Sequence, residues 1–251
     1  MRVGLVSLLG LALFLWPFSG LGLPGGAAAL AIALAAGGAL LLMELAARQM
    51  DARALALLAA IAGMDAALRL VLVTGIGGFS PIFFLILCAG YAFGASFGFL
   101  AGSLCMLVSA LATGGIGPWL PYQLFAAGWV GVAAGLLGTP GRGRPPQLRD
   151  LVALAAVGAV AGFGFGAVMD LWDWTFFRSS PDLGWSPGMP ALTALGHFGK
   201  YYLATSIVYD AFRAGGNALL ALALGAPVLA ALARFRGRFT LEIVEALPPA
   251  A

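Results

Sequence analysis

Residues 113–138 read TGGIGPWLPYQLFAAGWVGVAAGLLG, and how this stretch is parsed decides the fold. It opens on Gly114, Gly115 and Gly117, then on Pro118 and Pro121. Pro118 removes a backbone donor and disfavours helix at Gly117, whereas Pro121 suits a first helical turn. A helix is therefore expected over residues 122–138, apolar and spaced by Gly131 and Gly135. Trp119 and Tyr122 belong to the residue types that settle at a membrane–water interface. The stretch reads as a constrained loop on one membrane face feeding a spanning helix. Trp119, Tyr122 and Gln123 then either anchor an interfacial turn or meet a solute.

Composition extends that reading to the whole chain. Of its 251 residues 62% are hydrophobic and 9% charged, and the mean hydropathy is +1.01. A water-soluble domain carries about a quarter charged residues, so the chain is expected to be a polytopic membrane protein. At about 20 residues per span, nearly all of it is needed for helices. The basic residues are mostly arginines clustered in short connectors, a pattern of membrane topology and not of a nucleic-acid surface. Cys88 and Cys105 lie inside apolar runs without a CxxC pair, so they read as packing residues, and no metal site is expected.

Eight spans can be drawn. Residues 3–18 and 27–47 form the first two, the former read as a span and not a cleaved leader. A charged connector with Glu44, Arg48, Asp51 and Arg53 follows. In the third span, residues 54–73, Ala52, Ala56, Ala60, Gly63 and Ala67 fall on one face at about 100° per residue. Small residues so spaced let another helix approach closely in lipid. Asp65 and Arg69 lie roughly opposite, as i,i+4 partners able to neutralise each other. They are either a structural pair or part of a solute site. Residues 82–93 and 94–113 make the fourth and fifth spans, the fifth with Gly94, Gly98 and Gly102 on one face. After the opening stretch, a basic connector carries Arg142, Arg144 and Arg149. The seventh span, residues 151–171, repeats the glycine theme at Gly158, Gly162 and Gly166. Residues 172–197 are an aromatic, proline-punctuated surface segment with Trp172, Trp174 and Trp185. A long last helix is expected over residues 198–235, kinked at Pro227.

The arginines place Arg2, Arg48, Arg53, Arg142, Arg144, Arg149, Arg234, Arg236 and Arg238 on one side. Both termini are then cytoplasmic, and the Trp119 loop and residues 172–197 face outward. On the last helix Asp210, Arg213 and Asn217 share one face, where they need partners in protein, water or ligand. His197 is the one histidine, an interfacial anchor or a ligand contact. Asp170 and Asp173 straddle a helix end beside Trp172, whose ring can stack on a planar solute.

Several of these residues resemble the substrate-binding S component of energy-coupling-factor (ECF) transporters, the vitamin uptake systems of bacteria. The face of Ala52, Ala56 and Ala60 looks like the alanine-spaced helix by which S components dock on a transmembrane coupling protein. The run from Gly117 to Gln123, followed by Ala127, Gly128 and Trp129, is similar to a glycine–proline–aromatic stretch of that class. The last helix, with Asp210, Arg213, Asn217, Gly225, Pro227 and terminal arginines, looks like the closing helix. The likeness covers about residues 51–240, a six-helix core with the outer segment 172–197. Residues 1–50 would add two N-terminal transmembrane helices, and residues 241–251 a cytoplasmic tail.

The resemblance implies an all-α bundle in the bacterial cytoplasmic membrane that captures a vitamin-like solute from outside and performs no chemistry. Its partners would be the coupling protein and two ATP-binding-cassette ATPase subunits. In keeping with that division of labour, this chain has no GxxxxGK[ST] loop. The expected solute site comprises Trp119, Tyr122, Gln123, Trp172, Trp185, His197, Asp210, Arg213 and Asn217. The docking face would be Ala52, Ala56, Ala60 and Gly63. No cofactor and no nucleic acid are implied, and the aromatic segment favours a large or planar solute such as a corrinoid or flavin. The competing classes are a membrane-embedded enzyme acting on a lipid or isoprenoid, and a channel-like or structural membrane protein.

Overall fold

A computed structural model describes residues 2–19, 26–46, 50–72, 82–138, 145–178 and 180–238. The described residues form an all-helical bundle. Helix α1 (Arg2–Leu15) ends in a 3-10 turn (Trp16–Phe18) and is followed by α2 (Gly26–Ala46), α3 (Ala52–Leu72) and α4 (Ile82–Phe93). Then come α5 (Ala95–Thr113), α6 (Leu120–Leu136), α7 (Leu148–Trp174), α8 (Ala191–Thr205) and α9 (Ile207–Arg238).

Among the described residues, four helices are long and apolar enough to cross a membrane, with spanning stretches Ala28–Leu45, Ala95–Thr113, Leu148–Trp174 and Ile207–Gly237. Three apolar helices are shorter, Arg2–Phe18, Phe83–Phe93 and Leu120–Leu136. Helix α3 has the length, but it carries Arg53, Asp65 and Arg69. The exterior is apolar too: Leu5, Leu8 and Leu11 on α1, Val160 on α7 and Leu219 on α9 are exposed. A bundle with leucines outside as well as inside suits lipid as its solvent.

The centre is built on glycines. Any side chain at Gly98 or Gly102 of α5 would strike the backbone of α6 at Gly131 or Ala127. Gly90 of α4 meets the same Gly131 carbonyl, so three helices converge with backbones in contact. Gly94 alone joins α4 to α5, at φ 92°, a backbone conformation that favours glycine. Helix α4 has 12 residues, about 18 Å at 1.5 Å per residue. It is buried on every side, by Phe83, Phe84, Ile86 and Leu87 among others. Cys88 and Cys105 are free and fully buried, as packing residues should be.

Helix α5 closes at Gly114, φ 69°, in the left-handed cap expected of a glycine turn. Leu120 then starts α6 with Pro121 in its first turn. Several boundaries differ from the sequence reading: α6 starts and ends two residues earlier than expected, and α8 begins at Ala191, inside the expected surface segment 172–197, so that His197 is helical. Helix α7 continues through Trp172 to Trp174, so these tryptophans are helical and not part of a surface loop. The last helix is interrupted at Ser206, whereas α9 passes Pro227 as one helix. Polar side chains hold the break at Ser206, and in a lipid-embedded helix a proline is tolerated without interruption. Arg48, Arg142 and Arg144 lie outside the described residues.

Candidate functional site

The polar residues of α9 meet the glycine face of α7. Gly166 lies against the Asp210 carboxylate, Gly162 against the Ala214 backbone and Gly158 against Asn217. This close approach exposes α7 carbonyls to side chains of α9. Asn217 Nδ2 donates to Gly158 O at 3.2 Å, and Arg213 Nη1 reaches Gly162 O at 3.4 Å. Arg213 also pairs with Asp210 and lies 5.3 Å from the Phe165 ring centroid. Of this ion pair the aspartate is 1% exposed and the arginine 19%, so the guanidinium is its open member.

The seam continues upward past the break at Ser206. Ser206 Oγ donates to Asp170 Oδ1 at 2.7 Å, and Thr205 Oγ1 to Asp170 Oδ2 at 3.3 Å. Tyr201 OH donates to Asp173 at 2.6 Å, and Tyr202 OH to Asp210 Oδ2 at 2.9 Å. Three carboxylates and one guanidinium thus line the contact of α7 with α8 and α9, each carboxylate met by a hydroxyl. Polar groups enclosed by apolar helices are worth more than in water when paired and costly when not. Such a seam can hold its helices together or exchange partners with a polar solute.

An aromatic layer covers this end of the bundle. Tyr122 is buried, with Trp172 at 5.2 Å and Phe14 at 5.0 Å between ring centroids. Trp185 has the edge of Phe18 at 5.5 Å and the Arg178 guanidinium at 5.3 Å. The segment between α7 and α8 is pinned from below: Trp174 Nε1 donates to Leu183 O at 2.6 Å, and His197 Nδ1 pairs with Gly184 O at 2.9 Å. Trp119 is 41% exposed and donates to Gly115 O at 3.2 Å, bracing its own turn. Gln123 is half-buried on the first turn of α6.

The nine residues expected to form the site therefore fall into separate groups. Tyr122 and Trp172 are in tilted ring contact, and Asp210, Arg213 and Asn217 share the α7 seam. Trp185 and His197 secure the outer segment, while Trp119 stands apart on its turn and Gln123 on the first turn of α6. Asp170, Asp173, Tyr201, Tyr202, Thr205 and Ser206 complete the polar seam and lay outside the expected set. Their signal was the i,i+3 aspartates facing a hydroxyl-rich stretch 28 to 36 residues later.

Asp65 and Arg69 do not pair as their spacing suggests. Arg69 Nη1 donates to Ser109 Oγ of α5 at 2.9 Å. Ala52, Ala56, Ala60 and Gly63 are all exposed, and nothing stands within 4 Å of a methyl group at Gly63. A groove of about 410 Å³ runs between α6 and α7 past Trp129, Val130, Val160, Gly164 and Phe165. No polar side chain lines it. No protein-family model, curated protein or solved structure matches the chain.

Proposed function

We propose that the chain is the membrane-embedded substrate-binding subunit of an ECF-type uptake transporter, with eight membrane-crossing segments and both termini in the cytoplasm. The uncovered small-residue face of α3 carries this reading. Ala52, Ala56, Ala60 and Gly63 are exposed among the described residues, and nothing there stands within 4 Å of a methyl group at Gly63. In lipid, such a face stabilises a bundle only when another helix packs on it, and a transmembrane coupling protein with its ATPase subunits supplies that helix. The solute, a vitamin-like molecule with a planar ring system, enters from the aromatic end. There Trp185, Gln123 and Trp119 offer ring surface and an amide, above the Asp210–Arg213 pair.

Co-expression with a coupling protein and its two ATPases tests the assembly. The parent chain co-purifies with them, whereas Ala56→Leu and Ala60→Leu do not, and solute binding by the isolated chain survives both changes. If both variants assemble and transport as the parent does, α3 is not the docking helix. The apolar groove between α6 and α7 favours one other reading, a membrane-embedded enzyme acting on a lipid or isoprenoid chain. Mass spectrometry of the purified chain separates the two, because a retained prenyl or acyl lipid in place of a polar vitamin selects the second.

A further inference from the structure

Among the described residues, the buried carboxylates have donors with one exception. Glu44 is met by Arg2, Asp150 by the Gln147 N–H, Asp170 by Ser206, and Asp210 by Tyr202 and Arg213. Asp65 is 0% exposed, and neither of its oxygens has a hydrogen-bond partner. Arg69, one turn along α3, is spaced to pair with it. Instead its Nη1 donates to Ser109 Oγ and approaches Met106 Sδ at 3.4 Å, both on α5. A carboxylate anion without donors is strongly disfavoured inside lipid-enclosed protein, whereas the neutral acid tolerates those surroundings.

We propose that Asp65 is a proton-binding site in the interior of the bundle, with Arg69 as the cation that replaces the proton when it leaves. A proton needs no cavity, which suits a group at 0% exposure. In the state described, Asp65 is the neutral acid and Arg69 is held on α5. On release, the carboxyl O–H bond breaks and the proton passes to water. The carboxylate so formed accepts from Arg69, which leaves Ser109. The pair goes from a net charge of plus one to zero, and no electrons are transferred.

The neighbouring charges favour that exchange. Arg213 of α9 lies within electrostatic range of Arg69 but is itself paired with Asp210, so Asp65 is the carboxylate left to balance Arg69. On α5 the titratable neighbour is Cys105, and α4, which also packs on α3, holds only Cys88 and Tyr91. Because the exchange removes a hydrogen bond between α3 and α5, protonation is linked to the seating of α3. This inference stands apart from the transport reading and is tested without solute or partners.

Infrared spectra of the full-length chain with isotope-labelled aspartate, recorded from acid to alkaline pH, read the proton directly. A labelled protonated-carboxyl band is expected at neutral pH, weakening as pH rises and missing in Asp65→Asn. In Arg69→Gln, where the ionised form has lost its partner, the band persists to higher pH. Asn mimics the neutral acid, so Asp65→Asn melts within a few degrees of the parent at neutral pH. The folded parent holds a proton that the unfolded chain releases, so its stability falls as pH rises, and the variant loses that part of the slope. Should Asp65→Asn not fold, Asp65→Glu removes the same band from the labelled region. Spectra of the parent and a folded Asp65 variant that superimpose at every pH would overturn the proposal. So would a labelled parent without the band at neutral pH.

Discussion

At the scale of single residues, the seam rests on what glycine leaves out. A methyl group at Gly166 would overlap the Asp210 carboxylate, whereas one at Gly164, half a turn away, meets nothing within 4 Å. Gly166→Ala should therefore destabilise the chain by about 1–3 kcal/mol, as overpacking does. Gly164→Ala should stabilise it by roughly 0.5–1 kcal/mol, because alanine gives up less backbone entropy. Thermal melts of the two variants in one detergent check the pair, and equal shifts would mean that α9 does not sit on this face. For the solute, the informative side chains are those that are only partly buried, as Trp185 and Gln123 are. Tyr122 is committed to Phe14 and Trp172, so its loss reports on folding. Trp185→Ala and Gln123→Ala report on binding. Loss of a stacking ring should weaken affinity by about 1–3 kcal/mol. If both variants bind as the parent does while melting normally, the outer segment is an anchor and the solute lies deeper.

At the scale of elements, the regular parts of the fold were legible because they rest on local spacing. The glycine faces of α5, α6 and α7 could be read from sequence, and in the fold each meets another helix. The clustering of Asp210, Arg213 and Asn217 followed from helical period alone. The break at Ser206 was not legible. Nothing in YYLATSIVYDAF interrupts a helix by propensity, and what holds the break is Asp170, 36 residues away. Pro227 carried the stronger local signal, yet α9 runs through it. The partners of Arg69 were equally hidden, since i,i+4 spacing offered Asp65 while the fold supplies Ser109. These two sites can be set against each other. Tyr201→Phe removes a hydroxyl from Asp173, which is exposed and can turn to water, and should lower stability by about 0.5–1.5 kcal/mol. Pro227→Ala restores a backbone donor in a continuous helix and should raise the melting temperature. A fall in the second variant would mean that the freed carbonyl of α9 is used by the protein.

At the scale of the whole molecule, the two ends of the bundle differ in chemistry. Arg2 bonds Glu44 at 3.2 Å, which puts the start of α1 and the end of α2 on one face. The starts of α3 and α7, with Arg53, Arg149 and Asp150, and the end of α9, with Arg234 and Arg236, fit the same face by the alternation of the helices. The opposite end holds Phe18, Tyr122, Trp172, Trp174 and Trp185, joined through ring contacts. Positive residues are retained on the cytoplasmic side, and aromatic side chains settle at the interface. By that rule the proposed uptake function requires the aromatic end to face outward, so that a solute reaches the seam from outside the cell. Both Cys88 and Cys105 are fully buried, so a chain with alanine at these positions is a suitable background for labelling. In that background, a cysteine replacing Ser180, between α7 and α8, should react with a membrane-impermeant thiol reagent in intact cells. A cysteine replacing the exposed Arg234 should react only after the cells are opened. The reverse pattern would turn the bundle over and direct the seam toward the cytoplasm, where capture from outside is impossible. Labelling of both positions in intact cells would mean an odd number of crossings between α7 and the end of α9 is wrong, and that α9 does not traverse the bilayer.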